Sequence, residues 1–294
     1  MKIEKRLPKI QKNISLKNYT FFRIGGPAKY FLKVEEKQDL IEAVKVAKDI
    51  KLPFFILGAG SNLLISDKGF NGLVIKIGNK EYEIKDREIF VEAGMMLGEL
   101  LMALLKDELI GLEWASGIPG TIGGAIQGNA GSFGKSMKDN VKEVEVFDLK
   151  EQKIKTFKNK DCRFNYRDSV FKKDRNLIIL SVKIQLKKDN KKEIEKRIKE
   201  SLDYRKATQP LGFPSAGSIF KNPPGFSAGD LIEKCGLKGK KIRGAKISEK
   251  HANFIVNLGE AKAKDVIELI DLIKKEIKEK KGILLEEEIQ FLGF

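Results

Sequence analysis

The chain has one histidine and two cysteines in 294 residues, and these shortages remove whole classes of chemistry. A serine nucleophile needs an adjacent base, and only His251 is on offer. It stands in "ISEKHANFIVN", where a capping or packing role reads as well as a catalytic one. Cys162 and Cys235 lie far apart without CxxC or ligand-like spacing, so neither a disulfide framework nor a metal site is expected. No apolar run reaches the roughly 18 residues of a membrane span, and the basic N-terminus MKIEKRLPKIQKN has no hydrophobic stretch behind it. A soluble, unexported, cytoplasmic protein with no membrane partner is expected.

Aromatic residues are scarce where the positive charge is dense. Lysine and arginine total 57 against 41 acidic residues, a net charge of +16, which raises the question of a nucleic-acid surface. The excess is nearly all lysine, in segments such as "KKEIEKRIKESLDYRK" (191–206) and "KKEIKEKK" (274–281), where glutamates recur at helical spacing as on a solvated helix face. Single-strand binding would interleave stacking aromatics. No nucleic-acid partner is expected; the charge would instead help gather a polyanionic small substrate.

What is present is an ordinary globular composition, 41% hydrophobic, enough for one large or two ordinary domains. Leu40, Val44 and Ala47 are spaced for an amphipathic helix over 38–50. "FFIL" (54–57), the turn "GAGSN", "LLIS" and "GLVIKI" (72–77) then read as strand, tight turn, strand, strand. Alternating runs at about 80–95 and 141–158 predict β-hairpins, and 96–109 a helix. "LIILSVKIQL" (177–186) reads as a strand before the lysine-rich helix. A Pro/Gly-rich crossing near 207–213 marks a boundary, and a compact α/β unit with a long helix at 262–281 follows. The end, "ILLEEEIQFLGF", reads as a strand returning to the first domain.

Two glycine loops invite a ligand. "LGAGSN" (57–62) follows a strand and offers a Gly-x-Gly turn whose N–H groups could wrap a pyrophosphate. The third glycine of GxGxxG is missing and no helix opens after it, so a Rossmann fold is disfavoured. "ASGIPGTIGGAIQGNAGSFG" (115–134) holds seven glycines in twenty residues among apolar neighbours, unlike a flexible linker. Ser218, between two prolines in "PSAGSIFKNP", has no GxSxG elbow and reads either as a turn residue, as half of a Ser–Lys pair with Lys221, or as a proton donor to a carbanion made beside it.

Seven motifs occur in a shared order: "FFRIGGPAKYF" (21–31), "LGAGSNLLISD" (57–67), "GLEWASGIPGTIGGAIQGNAG" (111–131), "NYRDSVFK" (165–172), "PSAGSIFKNP" (214–223), "SEKHANFIVN" (248–257) and "LLEEEIQFLG" (284–293). In this the chain resembles the UDP-N-acetylenolpyruvoylglucosamine reductase family of flavoproteins over almost its whole length. The resemblance implies an α+β protein: an FAD-binding domain of the vanillyl-alcohol-oxidase type (1–207, two subdomains divided near 78), a smaller α/β substrate domain (208–281) and a returning strand (282–294). It also implies FAD, NADPH as reductant and a UDP-sugar substrate; a monomer is expected.

By motif position, Gly58, Ala59, Gly60, Ser61 and Asn62 would hold the FAD pyrophosphate, and Gly117, Ile118, Pro119, Thr121, Gly123 and Gly124 would line the flavin and its phosphates. Ser218 would be the proton donor, Arg167 the active-site arginine and Glu288 the carboxylate, with Tyr166, Lys221 and Asn222 at the substrate. Residue by residue, Arg167 also reads as a strand-end partner of Asp168, and Glu286–Glu288 as a solvated edge. Alternation puts Glu286 and Glu288 on one face; only the motif register selects Glu288. Arg243 stands where the family pattern has glycine. No tyrosine-bearing loop covers the substrate, since Tyr204 is the only tyrosine between Phe171 and Pro214, so diphosphate contacts would come from Lys221 or the basic turn 238–246. A flavin oxidase of the same fold and a non-catalytic nucleic-acid binder are the alternatives, and neither explains the glycine segment at 115–134.

Overall fold

The structure is a computed structural model, described here for residues 3–294. Along the chain come β1 (Gln11–Ser15), β2 (Pro27–Val34), α1 (Lys37–Asp49), β3 (Phe54–Leu57), β4 (Leu63–Ile65), β5 (Phe70–Ile77), β6 (Tyr82–Lys85), β7 (Glu88–Glu92) and α2 (Leu97–Lys106). Then follow α3 (Ile122–Gln127), β8 (Val141–Asp148), β9 (Lys153–Lys158), β10 (Leu177–Gln185) and α4 (Lys191–Thr208). The last third holds β11 (Ser215–Ser218), α5 (Ala228–Lys234), β12 (Lys241–Ile242), β13 (Ala245–Ile247), β14 (Phe254–Asn257), α6 (Ala263–Lys281) and β15 (Gln290–Leu292). The contacts divide the chain into two compact units: 1–10, 32–59 and 74–204 form one, and 11–31, 60–73 and 205–294 the other.

The first unit is built on an antiparallel sheet in the order β9-β8-β10-β7-β6. Its central strand β10, "LIILSVKIQ", is buried along most of its length, as a strand flanked on both sides must be. From Ile154 on, the edge strand β9 alternates exposed with half-buried residues; Lys153 and Lys158 point to solvent, while half-buried Lys155 pairs with Asp148 at 2.6 Å. Leu100 and Leu104 of α2, Ile122 and Ile126 of α3, and Val144, Val146, Val182 and Ile184 of the sheet share one core. In α1, Leu40, Val44 and Ala47 are all fully buried, as their spacing predicts. The hairpins expected near 80–95 and 141–158 form as β6–β7 and β8–β9.

The second unit packs the antiparallel sheet β11-β14-β13-β12 with α5 and α6 around a separate core that includes Phe22, Leu64, Phe220 and Ile255. Helix α6 buries Val266, Leu269, Ile270, Ile273 and Ile277, the i, i+3, i+4 stripe of a one-faced helix. Asp67 caps its start, taking the Ala263 N–H at 2.9 Å and the Lys264 N–H at 3.2 Å. Gly282, at φ 69°, ends it in the left-handed conformation. The terminal strand β15 pairs in parallel with β4.

Two local expectations are corrected, and one departure from the family pattern is accommodated. The glycine segment is not all loop: Thr121 caps α3, its Oγ1 accepting the Gly124 N–H at 3.3 Å, because Ile122, Ala125 and Ile126 supply an apolar face that outweighs two glycines. The C-terminal strand is only Gln290–Leu292; residues 286–288 meet another segment through single contacts. Arg243 adopts φ 47°, the conformation for which glycine was expected there. Its guanidinium is held by Asp265 at 2.5 Å and by Glu268.

Candidate functional site

Within the first unit, Gly58 of one candidate cradle adjoins Thr121 of the other. A Cβ on Gly58 would stand 2.6 Å from Thr121 Oγ1, and one on Gly123 would stand 2.9 Å from the Ala93 methyl. Both positions demand glycine because backbone passes close to another segment. Lys76, which sequence reasoning missed, reaches behind this turn: its Nζ donates to the Gly58 carbonyl at 2.8 Å. Burial, then the nearby charge of Lys33, pushes its ammonium below the usual lysine range. One lysine inside the apolar run of β5 was the available signal.

The donors of these loops fit a phosphate-bearing cofactor. Among the described residues, the backbone N–H groups of Ala59, Gly60, Ser61 and Asn62, and of Gly120 and Thr121, meet no protein acceptor. Buried or half-buried amides are normally paired, so runs of unclaimed donors at glycine turns suit a polyanionic group such as the FAD pyrophosphate.

Arg167 sits at the tip of a tight turn. Asn165 and Asp168 exchange backbone hydrogen bonds at 3.0 and 3.2 Å, Arg167 takes φ 52°, and its guanidinium lies 5.3 Å from the centre of the Tyr166 ring, itself half exposed. The Asp168 carboxylate is engaged by Lys173 at 2.6 Å. Two residues not foreseen pin the turn to the glycine segment: Asn129 Nδ2 donates to the Asn165 carbonyl at 2.9 Å, and fully buried Ser169 donates through Oγ to the Gln127 carbonyl at 2.7 Å.

In the second unit, Ser218 ends β11, paired with Phe254 across a register shift. Gly217 before it has φ 75°. A serine placed only to make a turn bonds its hydroxyl to nearby backbone; among the described residues the Ser218 hydroxyl makes no such bond. The chain after it is gripped on the side away from β14 by residues 286–288. The Glu288 N–H donates to the Ile219 carbonyl at 2.7 Å, and the Lys221 N–H donates to the Glu286 carbonyl at 2.9 Å. The Glu286 side chain is exposed and pairs with Lys221 Nζ, Glu287 pairs with Lys274 at 2.7 Å, and Glu288 is half-buried. Periodicity made Glu286 and Glu288 equivalent; their surroundings do not.

Asn62 does more than offer a backbone donor. Its Nδ2 donates to the Glu288 carbonyl at 3.1 Å, and its own carbonyl accepts the Gln290 N–H at 3.0 Å. Asn222 Oδ1 accepts the Ala228 N–H at 3.0 Å, so this carbonyl oxygen anchors the start of α5. Among the described residues no group of three or more potential metal ligands occurs, and no helix is long and apolar enough to cross a membrane.

His251 is a half-buried, packed histidine. Its ring meets Phe254 edge-on at 4.8 Å, and its Nδ1 accepts the Asn253 N–H at 3.3 Å. Burial, with the charge of Lys238 next, pushes its pKa below the ordinary value. The unfolded chain therefore binds this proton more readily. The stability conferred is complete above the unfolded pKa of about 6.5 and is lost as pH falls through the folded value. Denaturant midpoints measured between pH 8 and 5.5 should fall in the native protein and fall less in His251→Asn; equal slopes would show that other groups set the dependence.

Comparison with known proteins gives the same picture over the whole chain. A family model described as UDP-N-acetylenolpyruvoylglucosamine reductase, C-terminal domain, matches residues 209–292, and one described as FAD binding domain matches residues 28–157. The UDP-N-acetylenolpyruvoylglucosamine reductase of Caldanaerobacter subterraneus is 45% identical over 97% of this chain and 94% of its own. That of Bacillus subtilis is 41% identical over 99% and 96%. A crystal structure of the reductase from Thermus caldophilus superposes with a TM-score of 0.83 at 37% identity, covering 96% of this chain and 99% of that one.

Proposed function

Because the chain belongs to the UDP-N-acetylenolpyruvoylglucosamine reductase family and is an α+β, FAD-dependent oxidoreductase, we propose that it uses NADPH to reduce UDP-N-acetylglucosamine enolpyruvate to UDP-N-acetylmuramate. The product would serve peptidoglycan precursor synthesis in the cytoplasm, the enzyme acting as a monomer. In this reading residues 1–207 bind FAD, 208–281 the UDP-sugar, and 282–294 close the chain back onto the FAD domain; the contact units divide it differently, taking 11–31 and 60–73 with the C-terminal part.

FAD, when bound, supplies the two-electron carrier between NADPH and the enolpyruvyl double bond. The N–H groups of 59–62 and the 117–124 segment would hold it. Reduction of the double bond adds hydride to the terminal carbon and leaves an electron pair on the carbon bearing the ether oxygen, delocalised into the adjacent carboxylate. Arg167, always charged and able to take that carboxylate in a fork, would stabilise the charge as it develops; Glu288 would assist from the other segment. Ser218 would then deliver its hydroxyl proton to that carbon, completing the addition of H⁻ and H⁺ across the double bond. Tyr166, Asn222 and Lys221 would contact substrate, with Lys221 or the 238–246 turn at the diphosphate.

The observation that carries this reading is the ladder that fixes Ser218 beside Glu288: one peptide beyond the serine, the Ile219 carbonyl takes the Glu288 N–H at 2.7 Å. The purified protein should be yellow, be bleached by NADPH without oxygen, and regain colour on adding the enolpyruvyl sugar. A colourless protein that fails to take up added FAD, or a reduced one that the sugar leaves bleached, would end the proposal.

A further inference from the structure

The residue that does most to place Ser218 lies outside the candidate substrate and catalytic set. Asn253 is 3% exposed. Its side-chain amide grips one residue at both ends: Nδ2 donates to the Phe220 carbonyl at 2.8 Å, and Oδ1 accepts the Phe220 N–H at 2.9 Å. Its own carbonyl accepts the Ile219 N–H at 2.8 Å. One amide thus continues the sheet ladder past the last paired residue of β11, doing with a side chain what a further strand residue would do with its backbone.

This grip matters because the other side of the serine is loose. Gly217 occupies a left-handed φ of 75° with open space where a Cβ would stand, and the pairing register slips between Ser215 and Ser218. A glycine bulge gives little orientation of its own. The direction of the Ser218 hydroxyl is consequently set from the C-terminal side, by Asn253 on one edge and the Glu286–Glu288 segment on the other. We infer that Asn253 is a positioning residue for proton delivery: it holds the segment from Ser218 to Lys221 so that the serine hydroxyl stays at the reacting carbon. The inference rests on the reading of Ser218 as the proton donor.

The test uses the FAD-loaded protein and two variants. Asn253→Asp keeps size and the bond from the Phe220 N–H but turns a carboxylate oxygen toward the Phe220 carbonyl. Asn253→Ser removes both bonds and leaves room for water. In each, reduction of the enzyme by NADPH should proceed at the native rate, while reoxidation by the enolpyruvyl sugar slows about 10- to 100-fold, the scale of a misplaced reacting group. A larger solvent deuterium isotope effect on reoxidation should accompany the loss. Independently of turnover, amide exchange of residues 218–221 should quicken while that of α6 is unchanged. Ser218→Ala, run alongside, separates the two ideas. If Ser218→Ala reoxidises normally, the donor reading fails. If Ser218→Ala is slow but both Asn253 variants reoxidise like the native enzyme, the positioning role fails. Loss of soluble protein, of FAD or of both half-reactions equally in the two Asn253 variants would assign Asn253 to holding the fold and overturn the inference.

Discussion

Ser218→Ala is expected to leave reduction by NADPH at its native rate and to slow reoxidation by the enolpyruvyl sugar by about 10²–10⁴-fold, the usual worth of a positioned general acid. The two half-reactions are separable in time under anaerobic conditions, so each can be followed by flavin absorbance. The expectation follows from the surroundings of the serine. Its hydroxyl bonds to no described protein group, so its removal breaks no cap or turn, and alanine fits any backbone serine accepts. Equal slowing of both half-reactions would make Ser218 a structural residue after all. A cysteine at the same position would be informative, because a thiol donates a proton more readily than an alcohol.

Gly60→Ala is expected to cost about 3 kcal/mol or more, adding left-handed backbone strain to a forced shift of main chain. Gly60 has φ 70°, and an added Cβ would stand 2.1 Å from the Tyr19 carbonyl oxygen. That oxygen cannot swing aside, because the same stretch is tied in by the Phe21 N–H, which donates to the Gly60 carbonyl at 3.1 Å. Typical domains have only about 5–15 kcal/mol in hand, so a large loss of soluble protein and of bound flavin should appear together. Gly212 serves as the control: it has no neighbour within 4 Å of its would-be Cβ, and Gly212→Ala should be within about 0.5 kcal/mol of native. A denaturant midpoint for Gly60→Ala equal to that control would show that the turn relaxes at little cost.

The parts of the fold that could be read from sequence are those set by local periodicity. Leu40, Val44 and Ala47 marked α1, and alternation marked β8 and β9, because each buries one face against a single core. Strand β2 was passed over although Ala28, Phe31, Leu32 and Val34 are buried; a glycine pair stands just before its first residue, Pro27, and hides where it begins. Helix α3 was hidden by its glycines, whose unfavourable propensity is overridden by three buried aliphatic neighbours.

For the site, residue types were legible and partnerships were not. Ser218, Arg167 and Glu288 could be picked out by motif, but what holds them comes from distant segments: Asn253 for the strand after Ser218, Asn62 for Glu288, Asn129 and Ser169 for the Arg167 turn. Each is a polar side chain answering a backbone group many residues away, and nothing in local spacing announces such a bond. Asn222 adds another such bond: its motif suggests a substrate contact, and its Oδ1 also anchors the start of α5.

The bond from Asn62 to the Glu288 carbonyl joins residues 226 positions apart, and β4 and β15 lie side by side at the same place. A strand made early therefore has no strand partner until Gln290–Leu292 have been synthesised. At about 5–20 residues per second this leaves β4 unpaired for roughly 10–45 s. During that interval the nascent chain carries an apolar strand, Leu63–Ile65, that chaperones can recognise, and a chain truncated just before Gln290 would leave it without its mate for good.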